Sequence, residues 1–129
     1  DDSDTDEVAL PPRGGKIVQA TDGRTVEYSV AGSQRHDAKI FVSAYVSDHL
    51  LQVPRNWLDA YERLNIRAIS ISLPGLGHSS LNPGGRIYDW PTTDLEPVLR
   101  AEQVKGPIYM WGLSYGTLYA MSVAQRSRW

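Results

Sequence analysis

The sequence predicts an α/β fold: a mostly parallel sheet with helices on both faces and an antiparallel hairpin at its N-terminal edge. Three observations indicate this. From residue 38 onward, short apolar runs alternate with helical patterns, and an Asp-Gly turn separates two strand-like runs ahead of them. The length of 129 residues suits one domain. Alternating strands and helices give parallel strands joined by right-handed crossovers, so ligands are expected at the carboxyl ends of these strands.

The first elements are a leader and a hairpin. Residues 1–15 are acidic and then rich in Pro and Gly, so we expect a flexible leader before a domain at 16–129. Runs at 16–20 and 25–30 flank the turn Thr21-Asp22-Gly23-Arg24 and predict the hairpin. Apolar side chains alternate from Val26 to Val30, which is typical of a half-buried strand.

Three apolar runs, at 38–44, 66–73 and 107–111, predict buried strands. Three helices complete the alternation. The first is predicted from Pro54, which suits a first-turn position, to a stop near Asn65, with an apolar face formed by Trp57, Leu58, Tyr61 and Leu64.

The second helix follows a loop at 74–91 that holds three prolines and four glycines. Thr93 and Glu96 resemble a capping box that opens this helix, and its apolar positions run to Val104. The third helix is predicted from Ser114 to Arg126.

Composition excludes several classes of function. The chain has no cysteine, which rules out disulfides, cysteine metal sites and a thiol nucleophile. Five of the 15 acidic residues lie within the first seven positions, and the remainder carries thirteen basic against ten acidic residues. That excess is too small and dispersed for a nucleic-acid surface. No metal or cofactor is expected, because the histidines lack ligand spacing and no phosphate loop is present.

The location of the protein is not indicated by the sequence. No apolar run approaches 18 residues, so no membrane span is predicted. No signal-peptide pattern is visible, and we expect a soluble protein.

The sequence Gly112-Leu113-Ser114-Tyr115-Gly116 carries the strongest chemical signal. It has the form G-x-S-x-G, follows a predicted strand and opens a helix. Such a sharp turn exposes the serine and brings its two flanking positions into close contact, so both must be glycine. The hydroxyl then lies at the positive end of the helix, and the N–H of Tyr115 points to where an oxyanion would form. The alternative is a glycine turn that only lets a helix pack closely on the sheet.

With this motif, the chain from about Lys16 onward resembles the α/β-hydrolase superfamily, in its serine-nucleophile branch. A second motif adds to the resemblance: Leu73-Pro74-Gly75-Leu76-Gly77-His78-Ser79 is similar to the family's P-G-x-G-x-S loop. The family usually has Asp two residues before that proline, where this chain has Ser72. The resemblance implies that the chain is the N-terminal half of the fold, truncated after the helix that follows the G-x-S-x-G turn. In this family that turn is called the nucleophile elbow.

The resemblance also implies a function. Ser114 would be the nucleophile of a serine hydrolase that cleaves a carboxylic ester or a small amide through an acyl-enzyme, with no cofactor. The backbone N–H of Tyr115 would be one oxyanion donor. The family usually carries His-Gly after the first parallel strand; here Ser43-Ala44-Tyr45 stands there, so the N–H of Tyr45 is the candidate second donor.

The family's acid and histidine have no counterpart in this chain. They follow the serine in the order Asp or Glu and then His, but the 15 residues after Ser114 contain none of the three. His36, His49 and His78 lie upstream, and each is interpreted as a structural or surface residue rather than as the base. The alternative function is therefore a non-catalytic α/β-hydrolase-like binding module or an inactive fragment.

The strand before the elbow has a further consequence. If the chain is half of the fold, the run at 107–111 becomes an edge strand that is apolar and uncharged. Such edges pair with other chains, so we expect self-association through this edge.

Overall fold

The computed structural model of the protein describes residues 8–9, 15–45, 53–76, 79–112 and 116–126. The strands are β1 (Val8–Ala9), β2 (Lys16–Gln19), β3 (Thr25–Gly32), β4 (Lys39–Tyr45), β5 (Val53–Pro54), β6 (Ile66–Ser72) and β7 (Ile108–Trp111). The α-helices are α1 (Arg55–Arg63), α2 (Glu96–Ala101) and α3 (Gly116–Arg126). A 3-10 turn (Ile87–Asp89) and a π-helical turn (Pro91–Leu95) lead directly into α2. No helix in these described ranges is long and apolar enough to cross a membrane.

The main sheet confirms the predicted fold class. Its strand order is β2-β3-β6-β4-β7, with β4 parallel to both β6 and β7. The hairpin β2–β3 is antiparallel, and β3 joins the sheet antiparallel to β6. The predicted hairpin is therefore present at the expected edge, and its turn uses Gly23 with a φ of 90°, a conformation that favours glycine.

The two crossovers place helices on opposite faces of the sheet. The chain moves from β4 to β6 in one direction, through α1, and then back across β4 to β7, through α2. Because both connections between parallel strands are right-handed, reversing the direction puts the second helix on the other face. The main core lies on this second face, where α2 and α3 cover the strands.

This core combines alternate residues of the strands with side chains of the covering helices. The register brings Val42 beside Ile69 on one side and Met110 on the other. The buried members are Ala20, Val26, Tyr28, Ile40, Val42, Ala44, Ile69, Ile71, Leu73, Trp90, Leu95, Val98, Leu99, Tyr119 and Val123.

Several predicted helix boundaries are wrong. Pro54 does not open the first helix: it lies in β5, which pairs antiparallel with β1, and α1 begins at Arg55. The apolar face expected on α1 is only partly buried, since Trp57 and Leu64 are exposed. The predicted stop is confirmed, because Asn65 adopts a left-handed φ of 55° just after the helix.

The predicted capping box is also wrong. The chain is already helical from Ile87, so Thr93 lies inside a helical segment instead of ahead of one. Its hydroxyl donates to the carbonyl of Asp89 and to the carboxylate of Asp94. The helix then ends at Ala101, before Val104.

Burial of the strands differs from the expectation at two places. β3 is buried on both faces at positions 26–29, including Glu27 and Ser29, and α1 packs against this strand. β7 is not fully buried: Tyr109 and Trp111 are 49% and 42% exposed. On this face α1 packs against β3 and β6, and β7 lies beyond it at the edge of the described sheet.

A cluster of polar and charged side chains joins the end of α2 to the hairpin. The hydroxyl of Tyr28 donates to the Glu102 carboxylate at 2.6 Å, and the ammonium of Lys16 lies 3.0 Å from the same oxygen. Burial, together with the hydrogen bond to Glu102, raises the pKa of Tyr28. Burial acts to raise the pKa of Glu102, but its two donors outweigh burial and lower it.

A buried ion pair makes a second connection between the hairpin and the helical segment. The guanidinium of Arg24 donates to the carboxylate of Asp94 at 2.6 Å, and the Asp94 side chain is only 1% exposed. Next to it, the N–H of Thr21 donates to the carbonyl of Thr93. The hairpin turn is thereby held against the π-helical turn.

Replacing Asp94 is expected to destabilise the protein strongly. Asp94→Asn removes the buried carboxylate of the pair and leaves the Arg24 guanidinium with the more exposed carboxylate of Asp22, which costs about 2 kcal/mol of unfolding free energy. Asp89→Asn is the matched control, because the Asp89–Arg86 pair is solvent-exposed and worth less than about 1 kcal/mol. Urea unfolding followed by circular dichroism measures both, and equal losses would contradict a special role for the buried pair.

Candidate active site

The topology of the sheet predicts a ligand site at the carboxyl ends of β4 and β7. These strands are neighbours, but the chain leaves β4 toward α1 on one face and leaves β7 toward α3 on the other. Where two adjacent strands send their connections to opposite faces, an opening forms in which α/β sheets bind ligands. The G-x-S-x-G segment is the connection that leaves β7 at this point.

The two glycines of that segment make the contacts that the motif requires. A Cβ on Gly112 would lie 2.6 Å from the Cα and 2.8 Å from the N of Thr117, in the first turn of α3. A Cβ on Gly116 would overlap the backbone carbonyl oxygen of Ala44, near the end of β4. The strand therefore passes into the helix within a few residues, and α3 starts directly against β4.

The predicted nucleophile lies between these two glycines in the sequence. Leu113, Ser114 and Tyr115 fall outside the described residues, so the nucleophile and the first oxyanion donor stay predictions. Tyr45 is the last residue of β4. It directly follows Ala44, whose backbone carbonyl Gly116 contacts. The structure thus places the end of β4 beside the start of α3, and the role of the Tyr45 N–H stays a prediction.

Hydrogen bonds hold the loop after β6 against β3. The buried hydroxyl of Ser79 accepts from the N–H of Glu27 and donates to the carbonyl of Ser72, both at 2.9 Å. Ser80 exchanges backbone and side-chain hydrogen bonds with Thr25. The serine of the P-G-x-G-x-S motif therefore has a structural role, which the sequence alone did not reveal. Gly77 and His78 of this loop lie outside the described residues.

The upstream histidines do not supply a base within the described residues. His36 lies in the connection between β3 and β4, at the amino ends of the parallel strands. It therefore lies at the opposite end of the strands from Gly112 and Gly116, as expected. His49 lies outside the described ranges. Across the ranges the structure does describe, no three His, Asp or Glu side chains gather to hold a metal ion.

A cavity of about 380 Å³ opens beside α3 on the core side of the sheet. Trp90 and Tyr119 meet there edge to face, with ring centroids 5.4 Å apart. The lining consists of Pro74, Leu81, Asn82, Pro83, Gly85, Arg86, Ile87, Trp90, Thr93, Asp94 and Tyr119. Pro74 follows the carboxyl end of β6, and Tyr119 lies one turn into α3. The cavity thus lies next to the carboxyl ends of the parallel strands, where ligands are expected.

Comparison with solved structures identifies chains with the same fold. The structure superposes on an esterase from Rhodococcus sp. with a TM-score of 0.66 and 24% identity, over 88% of this chain and 41% of that one. A hydrolase from Pseudomonas aeruginosa gives a TM-score of 0.68 with 22% identity, over 87% of this chain and 41% of that one. An enol-lactonase from Burkholderia xenovorans gives 0.65 with 19% identity, over 87% and 42%.

These matches set the extent of the likeness. The chain spans about two-fifths of the length of each of these three proteins and matches the N-terminal portion of their fold. No protein-family model and no curated protein matches its sequence. At these identities the likeness shows the fold.

Adding a methyl group at Gly116 is expected to disrupt the start of α3. The Cβ of Gly116→Ala would overlap the Ala44 carbonyl, so the helix must move, at a cost of about 1–3 kcal/mol. Gly84→Ala is the control, because its Cβ would meet nothing within 4 Å. Urea unfolding measures both variants. Equal midpoints for the two would contradict the close approach of α3 to β4.

Proposed function

Since the chain has the N-terminal part of the α/β-hydrolase fold, we propose that it belongs to a serine hydrolase in which Ser114 is the nucleophile. The substrate class is a carboxylic ester or a small amide. The Ser114 hydroxyl oxygen attacks the carbonyl carbon and loses its proton to a base. The alcohol or amine leaves with a proton, and water then releases the acid from the acyl-enzyme.

The contacts of Gly112 and Gly116 carry this proposal. A glycine turn that only improves packing needs one close approach, between helix and sheet. Here there are two: Gly116 lies against β4, and Gly112 lies against the first turn of α3 itself. The second contact is the one that a nucleophile elbow requires, because it closes the turn around the central serine. The position of the two glycines at the carboxyl ends of β4 and β7 supports the same assignment, because sheets of this class bind ligands there.

The enzymes among the similar structures favour hydrolysis in particular. Two of them are described as an esterase and an enol-lactonase, and both substrates are carboxylic esters. The cavity beside α3 is at the small end of the range for small-molecule sites. We propose that it receives one apolar part of the ester, against Trp90 and Tyr119.

A non-catalytic role is the second candidate, and one observation favours it. A serine is a weak nucleophile unless a base accepts its proton. His36, the one histidine among the described residues, lies at the amino ends of the parallel strands, away from the G-x-S-x-G segment. If no base reaches Ser114, the candidate site remains a binding site for a small molecule.

A fluorophosphonate probe distinguishes these two functions. We expect the folded chain to be labelled on serine and the labelling to disappear in Ser114→Ala, because the probe forms a covalent bond only with an activated hydroxyl. Ser122→Ala is the control: this serine lies in the same helix, and its hydroxyl donates to the carbonyl of Tyr119. Labelling is read by intact-protein mass spectrometry.

Two results bear against the enzyme. Absence of labelling in a chain that circular dichroism shows to be folded supports the non-catalytic role of this chain. Labelling that persists in Ser114→Ala would place the reactive hydroxyl elsewhere and overturn the assignment of the nucleophile.

A further inference from the structure

Two aromatic rings form part of the wall of the cavity beside α3. Trp90 and Tyr119 both line the cavity, and only 2% and 9% of their surfaces are exposed. Their ring centroids lie 5.4 Å apart at an interplanar angle of 74°, which is the edge-to-face arrangement that aromatic pairs favour. Because both side chains belong to the buried core, they present an ordered aromatic wall to a group that enters the cavity.

The walls of this cavity come from three segments that the structure describes. Tyr119 belongs to α3, Trp90 lies between the 3-10 turn and the π-helical turn, and much of the remaining lining belongs to the loop after β6. That loop is attached to β3 by the hydrogen bonds of Ser79 and Ser80. Contacts within the described part of the chain therefore hold the walls in place.

The two charged side chains that line the cavity, Arg86 and Asp94, already have partners. The Asp94 carboxylate accepts hydrogen bonds from the Arg24 guanidinium and from the Thr93 hydroxyl, both at 2.6 Å. Arg86 forms an exposed ion pair with Asp89 at 3.1 Å. An ionic ligand would have to break one of these pairs or remain unmatched, and an unmatched buried charge is costly. The cavity therefore favours an uncharged group.

The volume of the cavity suits a single ring. It measures about 380 Å³, whereas an apolar cavity of about 150 Å³ already admits benzene. One aromatic ring with a short linker therefore fits. Such a ring also gains edge-to-face or offset contacts with Trp90 and Tyr119, which an aliphatic ring of the same carbon skeleton does not gain.

We propose that the cavity selects a neutral aromatic ring, so that the substrate of the site is an ester or small amide carrying a phenyl-type group. The assignment to a substrate rests on the proposed hydrolase function, whereas the binding of the ring does not. Tyr119 lies three residues after Gly116 in α3, which is about 4.5 Å along the helix axis. A ring in the cavity is therefore within the length of a small ester from the G-x-S-x-G segment.

Binding of two alcohols to the unmodified chain tests the cavity without any reaction. Benzyl alcohol and cyclohexylmethanol have the same carbon skeleton, and the cyclohexyl compound is the more hydrophobic, so burial alone would favour it. We expect benzyl alcohol to bind about 2- to 10-fold more tightly, which is the gain from one aromatic pair. Titration followed by NMR of the indole N–H signals gives both dissociation constants. Equal affinities, or tighter binding of cyclohexylmethanol, would overturn the proposal.

The same indole signals locate the bound ring. The chain has four tryptophans, and Trp90→Phe assigns the signal of Trp90. We expect a saturable shift of this signal, whereas the signals of Trp57 and Trp111, which do not line the cavity, should stay in place. Both of these side chains are about half-exposed, so they report adventitious binding at the surface. A saturable shift at Trp111 without one at Trp90 would overturn the assignment.

Substitutions of Tyr119 test the contribution of its ring. Tyr119→Phe keeps the ring and should keep the preference for benzyl alcohol, whereas Tyr119→Leu should remove it. Tyr109→Leu, on the other face of the sheet, is the matched control and should keep the preference. If Tyr119→Leu fails to fold, Ile87→Trp fills the cavity from a partly buried wall and should weaken the binding of both alcohols. An unchanged preference in Tyr119→Leu, or unchanged binding in Ile87→Trp, would contradict the proposal.

Ester hydrolysis tests the step from a bound ring to a substrate. We expect kcat/KM for ethyl phenylacetate to exceed that for ethyl cyclohexylacetate by about 2- to 10-fold, and the difference to disappear in Tyr119→Leu. Hydrolysis of both esters at equal rates would overturn the aromatic selection and leave the hydrolase in place. Binding of benzyl alcohol at Trp90 by a chain that neither hydrolyses esters nor reacts with the fluorophosphonate would overturn the hydrolase and support the aromatic site.

Discussion

The close approach of α3 to β4 is the constraint on which the candidate site depends. Gly116 lies against the Ala44 carbonyl, and Gly112 lies against the first turn of α3. A side chain larger than hydrogen at either position would push α3 out of this place. The same two contacts therefore fix where α3 begins relative to β4 and to the end of β7, on either side of the predicted nucleophile in the sequence.

Polar contacts hold the neighbouring loops against the sheet. Ser79 and Ser80 attach the loop after β6 to β3, and the Arg24–Asp94 pair attaches the hairpin turn to the helical segment before α2. All of these contacts lie near the carboxyl end of β6, because β3 runs antiparallel to it and begins there. The hairpin therefore supports the loops at the carboxyl ends of the parallel strands, where ligands are expected.

Local sequence predicted most of the strands because each strand here is a short apolar run bounded by turn residues. It failed where a neighbouring segment decides the outcome. Thr93 looks like a helix cap, yet the chain is already helical from Ile87, and the Thr93 hydroxyl bonds back into that helix. Pro54 looks like the first residue of a helix, yet it lies in β5 and pairs with β1, more than forty residues away. Such long-range partners leave no periodic signal.

Hydrophobic period and the backbone freedom of glycine were enough to predict the fold class, the order of the main strands and helices, and the position of the G-x-S-x-G turn in the chain, whereas β1 and β5 were not predicted. Three features came from the tertiary structure alone: which atoms the two glycines contact, the structural hydrogen bonds of Ser79, and the burial of Asp94 against Arg24. The structure also showed that β7 is half-exposed at the edge of the sheet. The physical reason is that contacts, burial and ion pairing join residues far apart in the chain, and these depend on how the strands are ordered in the sheet.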